Sequence, residues 1–327
     1  MTRRGGPLVA RGFVPPVRDQ GQDLGQDEGQ GRGEREGPRR DADRQRRRTR
    51  LRRRRFVSAV AVHVGVWIFV LFAVFPIMQI VAISLRPGDQ LYSTSLRLIP
   101  EGATLDAYRI MLTEKPFLLW MRNSLLVATS TALIGVGLAS LGGFALSRYR
   151  FRGQGAALQG ILMTQMFPAT MLLLPLYLLM RKLQLVDTLA GVVVAYVATA
   201  LPFCIWTMKG YYDTIPRDLD QAALIDGCDR LRAFLHVTLP LSAPALVITG
   251  LFSFMAGWSE FMVARVMLTS ADRMTLPLGL ESLFTTFQTE WANYAAGSLL
   301  VCIPVVGLFL VLNRFLVSGL TLGSVKG

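Results

Sequence analysis

The sequence of 327 residues has few of the side chains that catalysis and metal binding need. It contains two histidines, His63 and His236, and neither has a second metal ligand at helical spacing. None of the four lysines follows a glycine, so the G-x-x-x-x-G-K-[ST] phosphate loop is absent. The G-x-S-x-G and H-E-x-x-H spacings are absent too, and three cysteines do not indicate a disulfide framework. We therefore expect no catalytic residue, no metal site and no cofactor bound by this chain.

Charged residues are also missing from long stretches of the chain. Hydrophobic residues make up 52% of it, and the mean hydropathy is +0.40. Five stretches carry no Asp, Glu, Lys or Arg, and a sixth carries a single acid, Glu260; in chain order the six are 56–85, 123–147, 153–180, 188–208, 241–264 and 291–313. Each is long enough for a helix to cross a bilayer, which needs about 20 residues. Because backbone groups must be satisfied inside lipid, the prediction is an all-α, polytopic membrane helix bundle with about six transmembrane helices.

The distribution of basic residues predicts the orientation of these helices. Residues 1–55 contain 17 arginines and eight acids, and the short segment after the second apolar stretch contains Arg148, Arg150 and Arg152. Basic residues collect on the cytoplasmic side of membrane proteins. Six crossings then place both termini, and the segment between the fourth and fifth stretches, in the cytoplasm.

The N-terminal tail, residues 1–55, is rich in Arg, Gly, Gln and acids and has few large apolar residues. We predict a disordered cytoplasmic tail whose basic end fixes the topology of the first helix. Binding of its arginines to anionic headgroups of membrane lipid is the alternative. A nucleic-acid partner is not expected, because an arginine run beside a membrane span already has an explanation.

The polar segment 209–242 carries a regular spacing of small and apolar residues, and we name it the coupling segment. Its candidate coupling residues are Gln221, Ala222, Ala223, Asp226, Gly227, Val237, Leu239 and Pro240. Pro216 and the acids that follow it predict a helix start, and Gly227 predicts a tight turn. A second helix is expected from about Asp229 to Val237. Two helices joined at a glycine would form a rigid unit; the alternative is an ordinary connecting loop.

This spacing resembles the "EAA–x3–G–x9–I–x–LP" signature of the membrane subunits of bacterial ABC importers. The resemblance implies a cytoplasmic loop that docks into a separate ATPase, and that partner would bind ATP and Mg. Gln221 stands where the signature has Glu, and Asp220 offers a carboxylate one residue earlier.

Further stretches are similar to the maltose/maltodextrin branch of these importers. They are 75–78, 81–86, 165–169, 206–211 and 313–327, and the similarity runs from residue 56 to the end. It implies a type I importer permease fold with its core at 123–316, after a first helix and outer loop at 56–122. It also implies a C-terminal cytoplasmic tail, 317–327, between the ATPase subunits. The implied partners are a second permease subunit in a heterodimer, two ATPase copies and an extracytoplasmic sugar-binding protein.

The segment between the fifth and sixth stretches, 270–293, is named the outer loop. In the maltose branch the sugar lies mainly in the other permease subunit, and this type of subunit reaches into the binding protein through that loop. The resemblance therefore implies contacts from Thr275, Leu276, Pro277, Gln288 and Trp291.

Two features inside the apolar stretches predict irregular helices. Glu260 is costly inside lipid, so it either lies at an interface or lines the transport pathway, and Arg265 could reach it only if the helix bends. Pro168 and Pro175 interrupt the third stretch, because proline removes a backbone hydrogen bond.

We therefore expect a permease subunit, in the bacterial cytoplasmic membrane, of an ATP-driven importer for maltose or maltodextrin. The alternatives are another oligosaccharide such as trehalose, a secondary transporter that works without an ATPase, or a membrane scaffold. A secondary transporter needs coupling carboxylates within its spans, and only one acid is found there.

Overall fold

A computed structural model describes residues 37–88, 99–284 and 290–322. The α-helices are α1 Gly37–Ser84, α2 Asp106–Thr113, α3 Phe117–Arg148, α4 Gln154–Thr164, α5 Ala169–Lys182, α6 Leu189–Tyr212, α7 Arg217–Ile225, α8 Arg230–Ala233, α9 Leu239–Leu241, α10 Ala243–Ser259, α11 Met262–Met267, α12 Leu276–Glu281 and α13 Trp291–Leu322. A π-helical turn, Phe234–Thr238, joins α8 to α9, and a 3-10 turn, Ala271–Arg273, precedes α12. Within these ranges all the regular structure is helical, which confirms the predicted all-α class.

The first helix begins earlier than the sequence predicted. It starts at Gly37, so residues 37–55 are helical and not the disordered tail that their composition suggested, while residues 1–36 lie outside the described ranges. Leu, Arg, Gln and Ala are good helix formers, and adding a turn to an existing helix is easier than starting one. Contacts between residues group the chain into two units, Met1–Phe69 and Val70–Gly327, and the division falls inside α1.

Within the described part of the chain, four helices, rather than the predicted six, are long and apolar enough to cross a membrane: Ser58–Ser84 within α1, α3, α6 and Trp291–Asn313 within α13. The pair Arg230–Leu241 and Ala243–Ser259 is apolar enough to make a fifth crossing only if it is counted as one broken span, and its two helices meet at a bend of 80°. The third predicted stretch is two shorter helices, α4 and α5. Their break at 165–168 ends with Pro168, as the prolines indicated, and Pro175 lies within α5.

The centre of the second unit is formed by α3, α6 and α10, which pack on one another through small residues. A Cβ atom on Gly143 of α3 would lie 2.9 Å from the backbone nitrogen of Lys209 in α6. A Cβ atom on Gly257 of α10 would lie 3.1 Å from the Cα of Ala128 in α3. Small residues allow membrane helices to approach this closely. These contacts hold α3 in the middle, with Phe117 at one end and Arg148 at the other.

Each end of α3 is joined to one predicted functional segment. At the Arg148 end, Tyr212, Ile215 and Phe234 share a buried cluster with Ala139 of α3. At the Phe117 end, Trp120 packs with Leu276 and Leu280 of the outer loop. The last helix, α13, continues through the predicted boundary at Asn313 to Leu322, so residues 317–322 are helical, whereas 323–327 lie outside the described ranges.

Candidate functional site

The first half of the coupling segment forms the helix that its sequence predicted. Pro216 is the N-cap of α7, and Asp218 and Asp220 lie in the first turn. Pro is suited to a helix start because its missing N–H needs no partner there. Negative charge in that turn also stabilises the positive end of the helix dipole.

Gly227 makes the turn between the two helices, as predicted. Its φ angle is +88°, in the left-handed region that glycine adopts without strain. A Cβ atom at this position would meet nothing within 4 Å, so the requirement for glycine is conformational. Asp229 then caps α8, where its Oδ1 accepts a hydrogen bond of 2.7 Å from the Arg232 N–H. The turn is therefore well defined on both sides.

The second half of the coupling segment is one curved helical stretch. It begins at Arg230, passes through the π-turn and ends at Leu241, slightly beyond the predicted end at Val237. Pro240 and Pro244 occupy the first turns of α9 and α10. This stretch meets α10 at a bend of 80°, so it runs across the direction of that helix.

Arg148, the last residue of α3, ties this unit to the bundle. Its Nε lies 2.6 Å from Oδ2 of Asp220, and the two side chains are only 8% and 15% exposed. The remaining guanidinium nitrogens donate to the carbonyl oxygens of Tyr212, at 2.9 Å, and Ile215, at 3.1 Å. Thr238 of the π-turn donates its hydroxyl to the other Asp220 oxygen. One arginine thus holds the end of α6, helix α7 and the second helical stretch together.

Ser147, beside Arg148, extends this network. Its hydroxyl donates to Asp213 at 2.7 Å, and its carbonyl accepts from Arg217 at 2.7 Å. Lys209 lies 2.6 Å from the second oxygen of Asp213. Burial alone would raise the pKa of Asp213, but the hydrogen bonds from Lys209 and Ser147 and the nearby positive charges outweigh it and lower this pKa. Asp213 is therefore held in its charged form.

The predicted positions of the coupling segment divide into a buried and an exposed set. Ala223 is buried and Val237 and Leu239 are half-buried, whereas Gln221, Ala222, Asp226, Gly227 and Pro240 are exposed. Asp220 is turned inwards to Arg148, so it does not replace the missing glutamate at position 221. Sequence reasoning did not identify the role of Arg148, because it counted this residue only as a topology signal.

The coupling segment exposes several large apolar side chains. Ile225 is 86% exposed and Leu231 is 59% exposed, and Leu219, Leu224 and Leu235 are each more than 40% exposed. Exposed apolar groups on a rigid unit mark a surface that another protein covers.

The outer loop is attached to the other end of α3. The Asn123 amide donates to the carbonyls of Asp272 and Met274, both at 3.0 Å, and the Ser124 hydroxyl accepts from the Leu276 N–H at 2.7 Å. Thr275 and Leu276 are 2% and 0% exposed, so the predicted contact role for these two residues is not supported. They form the base of the loop.

The other predicted contact residues of the outer loop are more accessible. Pro277 and Trp291 are half-buried, and Trp291 packs edge to face against Phe284 at 5.6 Å between ring centroids. Gln288 lies outside the described residues.

Two ionic contacts that sequence reasoning missed fix the ends of this loop. At its start, the Asp187 carboxylate accepts from the Ser270 hydroxyl and from the Thr269 and Ser270 N–H groups, and it also contacts Arg273. The Ser270 bond, followed by the two backbone bonds, lowers the pKa of Asp187 to about 2. At its end, Lys115 Nζ lies 2.7 Å from Oε1 of Glu290. Neither pair has a local sequence signal, because its partners are far apart in the chain.

Glu260 has a structural use that neither interpretation from the sequence included. The fifth predicted stretch breaks here, with α10 ending at Ser259 and α11 beginning at Met262. The Glu260 carboxylate accepts from the Val263 N–H, at 3.0 and 3.1 Å, and from the Ala264 N–H at 3.4 Å. It therefore satisfies the first N–H groups of α11. Arg265 pairs with Glu281, at 3.8 Å, rather than with Glu260.

The coupling segment and the outer loop, both firmly attached to α3, suit the transmission of motion better than catalysis. In the described ranges no group of three His, Cys, Asp or Glu side chains could hold a metal ion. The fold and these two segments define a polytopic helical membrane protein with a rigid, partly apolar unit at one end of its bundle.

Residues 133–319 match the family described as binding-protein-dependent transport system inner membrane components. The chain belongs to that family.

Individual relatives extend this match over most of the chain. The maltose/maltodextrin transport system permease protein MalG of Salmonella typhimurium is 37% identical over 81% of this chain and 95% of its own length. The inner membrane ABC transporter permease protein YcjP of Escherichia coli is 33% identical over 84% and 99%. The diacetylchitobiose uptake system permease protein DasC of Streptomyces coelicolor is 33% identical over 83% and 96%.

Solved structures agree with these sequence matches. The chain superposes with a TM-score of 0.70 on a chain of a bacterial ABC transporter involved in the import of the acidic polysaccharide alginate. The two are 25% identical, over 80% of this chain and 96% of the other. The predicted ABC importer permease fold is thus confirmed, and the chain is a transport subunit rather than an enzyme.

Proposed function

We propose that this chain is a permease subunit that carries maltose or maltodextrin across the cytoplasmic membrane, driven by a separate ATPase. The observation that carries the proposal is the coupling segment, a rigid unit with an ionic anchor to α3 and an exposed apolar surface. A flexible loop could not pass a partner's motion to the helices, whereas this unit moves together with α3, α6 and α10.

The coupling segment docks on one of two ATPase copies, which bind ATP and Mg. Ile225 and Leu231 are the apolar contacts, with Gln221, Ala222 and Asp226 beside them. Closure of the ATPases pushes this unit and shifts the bundle between inward- and outward-facing states. A second permease subunit completes the pathway as a heterodimer. The Arg148 end of α3, with both chain termini, faces the cytoplasm, as the basic residues predict.

The outer loop receives the sugar-binding protein on the opposite side. Its base is buried, so contacts come from the exposed Phe284 and the half-buried Pro277 and Trp291. Gln288, the other proposed contact, lies outside the described residues. The attachments at Asp187, Asn123 and Glu290 support this function because they present the loop in one orientation.

The substrate is proposed from the resemblance to the maltose branch and from the similarity to MalG. A different oligosaccharide is the second candidate, since the name of DasC specifies diacetylchitobiose and it is similar over most of this chain. Beyond its cap on α11, the proposed role of Glu260 is to line the pathway beside the break. Glu260→Gln with unchanged sugar uptake would leave the cap as its only role.

The proposal is tested first by affinity purification of the chain from its native membrane. We expect an ABC ATPase, a second permease and a sugar-binding protein to be recovered with it. Recovery of the chain alone, stable and without an ATPase, would contradict the proposal and favour a secondary transporter.

The recovered complex then allows the substrate to be tested in proteoliposomes. ATP-dependent uptake of labelled maltose and maltodextrin is compared with uptake of trehalose and diacetylchitobiose, each at saturating binding protein. Gly227→Asp should leave the chain in the membrane and abolish sugar-stimulated ATP hydrolysis. Normal transport by that variant would show that the coupling segment does not transmit motion.

A further inference from the structure

A cavity of about 300 Å³ lies between the Arg148 end of α3 and the coupling segment. Three arginines line it, Arg148, Arg217 and Arg230, together with Asp220 and Gln221. Of its lining residues, Arg217, Gln221 and Arg230 are exposed. The cavity therefore lies next to the surface on which the proposed ATPase would dock.

The charges around this cavity do not balance. Asp220 neutralises Arg148 at 2.6 Å. Among the described residues, Arg217 and Arg230 have no carboxylate within ion-pair distance: Arg217 donates to the Ser147 carbonyl, and Arg230 lies 5.4 Å from the centre of the Tyr149 ring. Two guanidinium groups thus face a small cavity with an unneutralised charge of about +2, which attracts a carboxylate.

Gln221 lines the same cavity and contributes no negative charge to it. It lies four residues after Arg217 on α7, and side chains at this spacing are neighbours on a helix. A glutamate at position 221, as in the signature that the coupling segment resembles, would pair with Arg217 and close the cavity to an anion. Glutamine keeps the shape of that side chain without its charge, so both arginines keep their donors available.

We propose that this cavity receives an aspartate or glutamate side chain of the partner ATPase, held by Arg217 and Arg230. The inference rests on the proposed function, because it needs an ATPase on the coupling segment. Charge complementarity selects the occupant, and the volume fits one acidic side chain with water. The coupling segment then docks through the apolar surface at Ile225 and Leu231 and through this cavity. We name the cavity, with Arg217 and Arg230, the socket.

The test introduces a negative charge at position 221. Full-length wild type, Gln221→Glu and the neutral, similarly shaped Gln221→Met are purified from the native membrane at 50 and 300 mM NaCl, and the ATPase recovered per chain is measured. We expect Gln221→Glu to lower recovery about tenfold at low salt relative to the neutral Gln221→Met, which separates the added charge from the loss of the glutamine amide. The difference should shrink at high salt, because salt screens charge at a partly exposed site.

Arg217→Gln and Arg230→Gln provide a second measurement. Each should lower recovery of the ATPase several-fold, and Gln221→Glu added to Arg217→Gln should cause little further loss, since both act on the same socket. Membrane level and recovery of the second permease show whether each variant folds. A variant that loses these as well is replaced by Arg217→Lys or Arg230→Lys, which keep the charge and should retain recovery.

The outcomes separate the two proposals. If wild type recovers no ATPase, the proposed function fails and the socket with it. If wild type recovers the ATPase and Gln221→Glu recovers as much or more, the socket is wrong and the proposed function stands. If Gln221→Glu leaves ATPase recovery unchanged but reduces binding of inorganic phosphate to the purified complex, the occupant is a free anion and the inference is overturned.

Discussion

The coupling segment and the outer loop are both short helical segments at opposite ends of α3, but they are attached to it differently. The polar contacts of the coupling segment converge on one place, the end of α3, where Arg148 reaches three parts of the segment and the adjacent Ser147 bonds Asp213 and Arg217. The outer loop is fixed at several separate points, from Asp187 through Asn123 and Gly279 to Glu290. A single hub suits a unit that must transmit force as one body, whereas distributed contacts suit a surface that must keep its position.

The difference is tested most severely by Arg148→Met, which removes the charge but keeps much of the side-chain length. Asp220 would then be left mostly buried without a cationic partner, and breaking a buried pair in this way costs about 3–5 kcal/mol. We expect a lower melting temperature in detergent and loss of sugar-stimulated ATP hydrolysis, with the outer loop unaffected.

Arg150→Met is the matched control, since Arg150 is exposed two residues away and should change stability by less than about 0.5 kcal/mol. Hydrogen exchange reports on the two ends separately. Equal loss of protection at residues 217–241 and 270–284 in Arg148→Met would show that the hub does not act locally.

The local features of both segments could be predicted from the sequence. Pro216, the acids after it and Gly227 specify a helix start and a turn through their own backbone preferences, so neighbours in the fold are not needed to interpret them. Pro168 predicted the break in the third stretch for the same reason. The extra helix before Phe56 was missed because a polar composition indicates the lack of a core, not the lack of a helix that continues from a membrane span.

Glycine substitutions are expected to cause the next largest loss of stability, for a different reason in each segment. Gly279→Ala in the outer loop would place a Cβ atom 2.1 Å from Cδ2 of Trp120, a buried ring with little room to move. Overpacking of this kind costs about 1–3 kcal/mol. Gly227→Ala in the coupling segment meets no atom and costs about 1–2 kcal/mol through its left-handed backbone alone.

Asparagine separates these two causes, because it tolerates the left-handed region and is larger than alanine. We expect Gly227→Asn to be less destabilising than Gly227→Ala, and Gly279→Asn to be more destabilising than Gly279→Ala. Melting temperatures of the four variants decide this, and the same order at both positions would contradict it.

Long-range pairs account for most of what the sequence could not show. Asp187 and Ser270, or Arg148 and Asp220, are 83 and 72 residues apart, and no local pattern joins them. Thr275 and Leu276 were predicted as contact residues since their segment resembles a docking loop. Their burial depends on Ser124 and Trp120, which the sequence places in a separate helix.

Asp187→Asn should have a smaller effect, of about 1–2 kcal/mol, because it weakens charge-assisted hydrogen bonds without emptying the site. The pKa of Asp187 is lowered to about 2 from its usual value of 3.8, so its contribution is fully present above about pH 5 and is lost as the pH falls towards 2. The difference in melting temperature between wild type and variant should be constant from pH 5 to 8. A difference that disappears near pH 6 would show that another group controls this contact.

The smallest effect is expected for Lys115→Met, at the other end of the outer loop. Lys115 and Glu290 are 28% and 29% exposed, and a pair that reaches solvent contributes about 0.2–1 kcal/mol. Glu290 also keeps its 2.7 Å bond from Asn293, which limits the loss. We expect a melting temperature close to wild type and, at most, a modest rise in the concentration of binding protein that half-saturates ATP hydrolysis. If Lys115→Met were as damaging as Arg148→Met, the outer loop would also depend on a single hub, and the contrast between the two ends of α3 would be lost.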